Sequence, residues 1–140
     1  MANTKTLAIL SQNPKETIYY LTLVCVGNAQ ETNYVIHNSS TQATTFNMTD
    51  PKDCLITGLK TITNVTGAAR VQLNWDATTP IVASAINTNN NIDFSFKKVG
   101  GLRNQAAATS AAGNTGNITL TTTGLVSGDV LTLLMKVRMA

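Results

Sequence analysis

The sequence has 140 residues, of which 43% are hydrophobic, 12% charged and 5% aromatic, and its formal net charge is +3. This length favours a single domain over residues 1–140, the apolar content excludes intrinsic disorder, and no apolar stretch approaches the roughly 20 residues that a membrane span needs. We therefore expect no membrane partner, and because the ten basic residues are few and scattered, we expect no direct nucleic-acid binding.

The polar residues are strongly biased towards threonine and asparagine. The chain has 23 Thr, 15 Asn and 7 Ser, against 7 Lys, 3 Arg and 2 Glu. Threonine suits a pleated, half-buried surface and asparagine favours turns, whereas the strong helix formers are scarce. The composition therefore predicts an all-β domain. Since the first ten residues lack the pattern of a cleaved secretion leader, we expect synthesis in a cytoplasm.

The first half of the chain reads as a series of strands. Residues 6–10 form a short apolar run that is either a first edge strand or an N-terminal arm over residues 1–10. Residues 17–26 are apolar on both faces, which is typical of a central strand covered on both sides. Gly58 predicts a bulge or bend inside a long strand. That strand and two shorter ones are predicted at 55–65, 33–37 and 44–48.

The second half contains the clearest alternation of apolar and polar residues. Residues 69–75 place every second side chain, ending at Trp75, on one apolar face. Residues 99–117 are small and glycine-rich, so we expect a long flexible loop, either functional or poorly ordered, with one helical turn at most. Further strands are predicted at 81–86, 92–98, 118–123 and 130–139. About eight strands separated by turns predict a β-sandwich, most simply a jelly roll.

The sequence offers little catalytic chemistry. Its single histidine, His37, is predicted to be a surface or strand-end imidazole, and no GxSxG nucleophile turn is present. Cys25 and Cys54 lie in apolar runs without metal-ligand spacing, so we expect two small buried hydrophobic residues and no metal or cofactor. Aspartates in polar segments are expected in turn and cap roles: Asp50, Asp53 and Asp76.

Two further features bear on binding. Lys97, Lys98 and Arg103 form the only local basic cluster, which is either a solvated strand end or a contact with the acidic surface of a partner protein. The aromatic residues Trp75, Phe94 and Phe96 fall on alternating apolar faces. We therefore expect core positions for them rather than a platform for stacking sugars.

Four blocks, in this order, resemble small virion structural proteins of tailed bacteriophages, especially phages of marine bacteria. The blocks are LNWDATT at 73–79, GGLRN at 100–104, GNITLTTTG at 116–124 and SGDVLTL at 127–133. The opening, from residues 6–10 through Asn13 and Pro14 into 18–26, is compatible with the same family, so the resemblance covers most of the chain.

This resemblance implies a non-enzymatic decoration or cement protein of the capsid surface, with a jelly-roll fold and the major capsid protein as partner. Such proteins typically assemble as homotrimers on the head. The predicted contacts are then the N-terminal arm, with Leu7 and Ile9, and the loop of residues 99–117, with Lys97, Lys98 and Arg103 meeting an acidic capsid surface. Deleting residues 1–5 is expected to weaken capsid binding and to leave the domain folded.

Two other functions stay open from the sequence. A receptor-binding or fibre-tip jelly roll that recognises host glycans would have the same strand count and composition, and exposed aromatic side chains with a shallow pocket would favour it. A small hydrolase would need His37 close to an acidic residue and a nucleophile.

Overall fold

The computed structural model describes residues 2–49, 52–66, 69–86 and 92–139. Strands account for 48% of the chain and helices for 11%, and two antiparallel sheets pack against each other. The predicted all-β sandwich is therefore confirmed. The strands are β1 Thr4–Ser11, β2 Thr17–Val24, β3 Tyr34–His37, β4 Leu55–Asn64, β5 Arg70–Trp75, β6 Ile81–Ile86, β7 Ile92–Ser95, β8 Leu102–Arg103, β9 Ile118–Thr123 and β10 Val130–Arg138. Two short helices, α1 Ser39–Thr45 and α2 Gln105–Ala108, and a 3₁₀ turn, Lys97–Val99, connect them.

The strands form two sheets of unequal size. Sheet A has the order β1-β2-β10-β4-β7, with the two-residue β8 also paired to β4. Sheet B has the order β3-β9-β5-β6. Neighbouring strands in both sheets are antiparallel, and the strand pairs nest along the sequence: β2 with β10, β3 with β9, β4 with β7, and β5 with β6. The chain is thus a long hairpin whose successive pairs alternate between the sheets.

The core lies between the two sheets because alternate residues of the central strands are apolar. In β10 the alternate residues Leu131, Leu133, Met135 and Val137 are buried, and in β5 Trp75 has no exposed surface. Burial of each large apolar side chain contributes about 1.5–3 kcal/mol, so these strands supply most of the stabilisation. The largest fully buried side chains include Trp75, Tyr19, Leu21, Leu23, Ile56, Leu73, Ile118, Leu120, Leu131, Leu133 and Met135.

Residues 44–48, which were predicted to be a strand, end a helix instead, so that prediction is wrong. The side chain of Asn38 caps α1, and its oxygen accepts a hydrogen bond from the Thr41 amide at 3.0 Å. Asn47 follows the helix in the left-handed conformation with φ +52°. Caps at both ends therefore outweigh the β propensity of the intervening threonines.

Residues 4–11 form an edge strand and not an arm. β1 pairs with β2 along its whole length, apart from an irregularity between Ile9 and Ser11. Just before β1, the buried Asn3 side chain donates to the Ala29 carbonyl and accepts from the Val26 amide, at 3.0 Å each. The predicted arm is thus part of sheet A from Thr4 onward, and the Asn3 side chain holds the residue before it.

Residues 99–117 are held by regular hydrogen bonds and do not form a long structureless loop. β8 pairs with β4, and α2 is one helical turn, as predicted. The segment is also tied to neighbouring loops, because Thr78 N donates to Ala112 O at 2.9 Å. At Gly113, with φ +74°, an added Cβ would lie 2.9 Å from the Thr78 amide nitrogen, so only glycine fits this approach.

Candidate functional site

The outer face of sheet A carries apolar and threonine side chains that face away from the core. Register pairing aligns Ala8, Tyr20, Leu134 and Lys60 across four strands. Tyr20 is 38% exposed, and Ile62, on the next row of β4, is 50% exposed. Nothing in the described part of the chain therefore covers the centre of this surface, which we call the outer face.

The outer face is large enough to receive a protein. It is five strands wide, and its central strands are eight or more residues long. With strands about 4.8 Å apart and about 3.4 Å per residue, its area is on the order of 650 Å². Stable protein interfaces bury about 800 Å² on each partner, so the face and its rim suffice for one.

A hollow of about 440 Å³ opens on this surface beside Gly58. A Cβ added at Gly58 would come within 3.2 Å of Lys136 Cδ, so the aliphatic part of Lys136 lies over the glycine. The bulge predicted at Gly58 is found at the adjacent Thr57, which is the extra residue opposite β10. The wall includes Leu10, Ile18, Lys60, Asp93, Phe94, Ser95, Lys97 and Leu134.

The net charge of the protein is concentrated around this hollow and an adjoining one of about 330 Å³. Both hollows are lined by Thr57 and Lys97. The chain has ten basic and seven acidic residues, and five of the basic and two of the acidic ones line the two hollows. The other five basic and five acidic residues contribute no net charge. The lining ions are Lys15, Lys60, Lys97, Lys136 and Arg138 with Glu16 and Asp93.

Phe94 contradicts the prediction of a core position, because its side chain is 58% exposed although it pairs in register with the core residue Leu59. Its ring stacks on Phe96, with centroids 6.2 Å apart and an angle of 23° between the planes. β7 is the edge strand of sheet A, and the period-two pattern of its sequence does not reveal that the core ends there. Trp75, by contrast, is buried as predicted.

The predicted basic cluster is largely neutralised within the chain. Arg103 forms an ion pair with Asp53, with its Nη2 atom 2.8 Å from Oδ2, and this hydrogen-bonded carboxylate raises the pKa of Arg103. Lys97 Nζ lies 3.7 Å from a Glu16 carboxylate oxygen. Lys98 is exposed and forms no ion pair with any described residue. The three residues therefore do not act as one basic patch.

Leu7 and Ile9 lie at the opposite edge of sheet A from the basic cluster. They pair in register with the core residues Leu21 and Tyr19, so their side chains are on the inner side of β1. Leu7 is packed against the core, whereas Ile9 is 43% exposed at the edge. Leu7 and Ile9 do not line the hollow that is lined by Lys97 and by the neighbouring Leu10.

The interior contains a polar pair that the sequence did not predict. His37 is at the end of β3, as expected, but it is fully buried, and its Nδ1 atom hydrogen-bonds to the Tyr19 hydroxyl. Burial, with a smaller contribution from Cys54, raises the pKa of Tyr19 above its ordinary range. His37 therefore lies out of reach of a substrate at the surface.

Cys25 and Cys54 are both buried free thiols, as predicted. Burial raises the pKa of Cys25, which disfavours the reactive thiolate.

Among the described residues no three His, Cys, Asp or Glu side chains are grouped as metal ligands would be. No helix in residues 2–49, 52–66, 69–86 and 92–139 is long and apolar enough to span a membrane. Of the expected turn aspartates, Asp50 lies outside the described residues.

Comparison of the chain with protein-family models, curated proteins and solved structures found no match. One signal for the outer face was present in the sequence. Residues 17–26 are apolar on both faces, but the structure covers only one side of β2, which corrects the expectation of a strand buried on both sides.

Proposed function

We propose that this protein is a non-enzymatic structural component of a bacteriophage virion, a decoration or cement protein that binds the major capsid protein lattice and stabilises the head. The outer face of sheet A is the observation that carries this proposal. It is broad, rich in apolar and threonine side chains, and uncovered within the described residues, as expected of a surface that docks on a protein. The order of the four sequence blocks supports the same class.

We propose the jelly roll as the finer fold. Without β1 and β8, the two sheets read β2-β10-β4-β7 and β3-β9-β5-β6, which is eight strands in two four-stranded sheets. The nested pairing of the strands supports this assignment, because a jelly roll is a long antiparallel hairpin wrapped into two sheets.

In this proposal the protein stabilises the head by mass action. A protein that binds the expanded lattice more tightly than other lattice states shifts the population towards the expanded one. Assembly as a homotrimer on the capsid surface would repeat each modest contact three times. Burial of His37, the only histidine, supports a non-enzymatic role, since no imidazole is available at the surface.

The class of protein is tested by counting its copies in purified virions against the major capsid protein, with quantitative mass spectrometry. Hundreds of copies per particle are expected for a decoration protein distributed over the lattice. A few copies would place it at a vertex, portal or fibre instead, and absence from particles would overturn the virion assignment.

The docking face is tested with a matched pair of variants. Ile62→Asp places a charge at the centre of the outer face, whereas Val82→Asp places one on sheet B at a side chain that is 52% exposed. Because burying an unpaired charge costs several kcal/mol, we expect Ile62→Asp to weaken binding to capsids lacking the protein by at least about tenfold. Val82→Asp should bind like wild type in the same co-sedimentation assay, and equal loss in both variants would refute this docking face.

One observation favours a second function, the recognition of host glycans by a receptor-binding module. The exposed Phe94 ring, stacked on Phe96, is the type of platform on which sugars stack. A glycan array with the isolated protein distinguishes this alternative. Binding that is lost in Phe94→Ala, together with low copy number in virions, would replace the decoration proposal.

A further inference from the structure

We propose that the hollow beside Gly58 receives an acidic segment of the partner protein, whose carboxylate lies between Lys60 and Lys136 and whose apolar side chains pack on the outer face. This inference rests on the proposed function, which makes the partner a segment of the major capsid protein. Beyond that function, it specifies that the partner segment is acidic and that Lys60 and Lys136 recognise it.

The two lysines form a site for an anion. Lys136 pairs with Gly58, and Lys60 is two residues further along the same face of β4. Such diagonal neighbours have their Cβ atoms within about 7–8 Å, so two long ammonium side chains can reach one carboxylate. Neither lysine forms an ion pair with a described residue, although Asp93 is the register partner of Lys60.

Glycine at position 58 makes room for the Lys136 side chain at the wall of the hollow. Because position 58 has no side chain, the aliphatic part of Lys136 occupies that space. The methylene groups of Lys136 thus join Ile18 and Leu134 in an apolar wall, and the ammonium group remains free to meet an anion. An occupant must therefore carry both negative charge and apolar surface.

Charge complementarity favours an acidic protein segment over the other polyanions. The lining residues of the two hollows together carry the entire net charge of the chain, so an acidic partner is attracted to this end of the outer face. A nucleic acid would need a longer track of cations, whereas the basic residues elsewhere are balanced by acidic ones. A saccharide would leave most of the apolar area of the outer face uncovered.

The first experiment measures binding to capsids lacking this protein, at 50 and 500 mM NaCl. We expect Lys60→Glu/Lys136→Glu to bind about tenfold or more weakly than wild type at low salt, with a smaller difference at high salt. The control, Lys52→Glu/Arg70→Glu, has the same net charge and changes two exposed cations elsewhere, and it should stay within about twofold of wild type. Circular dichroism verifies that each variant is folded, and Lys60→Gln/Lys136→Gln, which adds no charge, is the milder second variant.

The outcomes separate this inference from the proposed function. If both charge-reversal variants bind capsids as strongly as the wild type does, the proposal of an acidic segment is refuted. The decoration role is unaffected by that result. Failure of the wild-type protein to bind capsids would overturn the decoration role, and a second experiment then decides the inference.

That experiment is an NMR titration of the isolated protein with the peptide acetyl-Glu-Leu-Glu-Leu-Glu-amide. We expect amide shifts at Gly58, Ser95 and Lys136 but none at Arg70, and no shifts with the peptide in which Gln replaces Glu. Tetragalacturonate, an acidic saccharide, tests the competing ligand class. Shifts with the saccharide alone, or with neither probe, would overturn the inference.

Discussion

Tyr19 shows how burial of one side chain controls its protonation. The hydroxyl is enclosed beside His37, and burial raises its pKa above the ordinary value of about 10. In the unfolded chain the same group loses its proton near that ordinary value. Above about pH 10 the unfolded state therefore binds fewer protons than the folded state, and the free energy of unfolding falls as pH rises.

We expect Tyr19 to contribute a loss of up to about 1.4 kcal/mol per pH unit above pH 10. Urea unfolding at pH 8 and pH 11 measures this loss, and Tyr19→Phe should remove it. Equal pH dependence in the wild-type protein and Tyr19→Phe would show that Tyr19 ionises alike in the folded and unfolded states.

At the same scale, the sequence indicates burial more reliably than it indicates the partners of each residue. Alternation in β5 correctly predicts that Trp75 is buried, because burial follows from strand periodicity. The same rule fails for Phe94, which lies on an edge strand where the second sheet no longer covers the first. The ion pair between Arg103 and Asp53 joins residues 50 positions apart, which no local pattern reveals.

β1 is an edge strand whose attachment begins before its first residue. The Asn3 side chain donates to Glu31 at 2.8 Å, and Lys5 forms an ion pair with the other oxygen of the same largely buried carboxylate. Deletion of residues 1–5, expected from the sequence to leave the domain folded, is therefore expected from the structure to destabilise it. Removing residues 1–5 takes away both partners and leaves a buried carboxylate unpaired.

We expect this deletion to lower the free energy of unfolding by about 3 kcal/mol or more, since an unpaired buried charge is costly. Deleting residues 1–2 alone retains Asn3 and Lys5 and should cost less than about 1 kcal/mol. Thermal unfolding followed by circular dichroism compares the two truncations. If both had the wild-type midpoint, Asn3 and Lys5 would not anchor the strand.

The segment that contains α2 depends on one buried asparagine. The side chain of Asn104 accepts hydrogen bonds from the Ala106 and Ala107 amides, and it donates to the Lys52 carbonyl at 2.7 Å. Asn104 has no exposed surface, whereas the corresponding cap of α1, Asn38, is exposed. Water can replace the side chain at Asn38 but not at Asn104.

Asn104→Ala is therefore expected to destabilise the fold by about 2–4 kcal/mol, and Asn38→Ala by about 1 kcal/mol. Chemical denaturation of both variants gives the difference. A loss at position 104 no larger than that at position 38 would contradict the structural role of the buried cap.

Secondary-structure elements could be predicted from the sequence where strand periodicity is clear. They could not be predicted where capping residues determine that a helix forms. Strands such as β4 and β10 are long enough for alternation to define them. The sequence signals for α1 were the asparagines at its two ends, which a search for strand propensity overlooks.

For the whole molecule, composition and turn spacing predict the two-sheet class, but the location of the binding surface depends on topology. Tyr20, Lys60 and Leu134 belong to three strands that are far apart in sequence, and they become neighbours only through strand order. A sequence pattern assigns each residue to a face of its own strand. It does not reveal which face remains uncovered.

The position of β10 at the centre of sheet A has a consequence for synthesis on the ribosome. β10 is the partner of both β2 and β4, so these two strands have no shared neighbour until residues 130–138 have left the exit tunnel. Because long-range pairing must await this segment, sheet A is completed only after residues 130–138 have emerged, and folding is expected to be slow for a domain of this size. During that interval the apolar strands β2 and β4 are exposed together, so a chaperone that shields nascent chains would raise the folded yield.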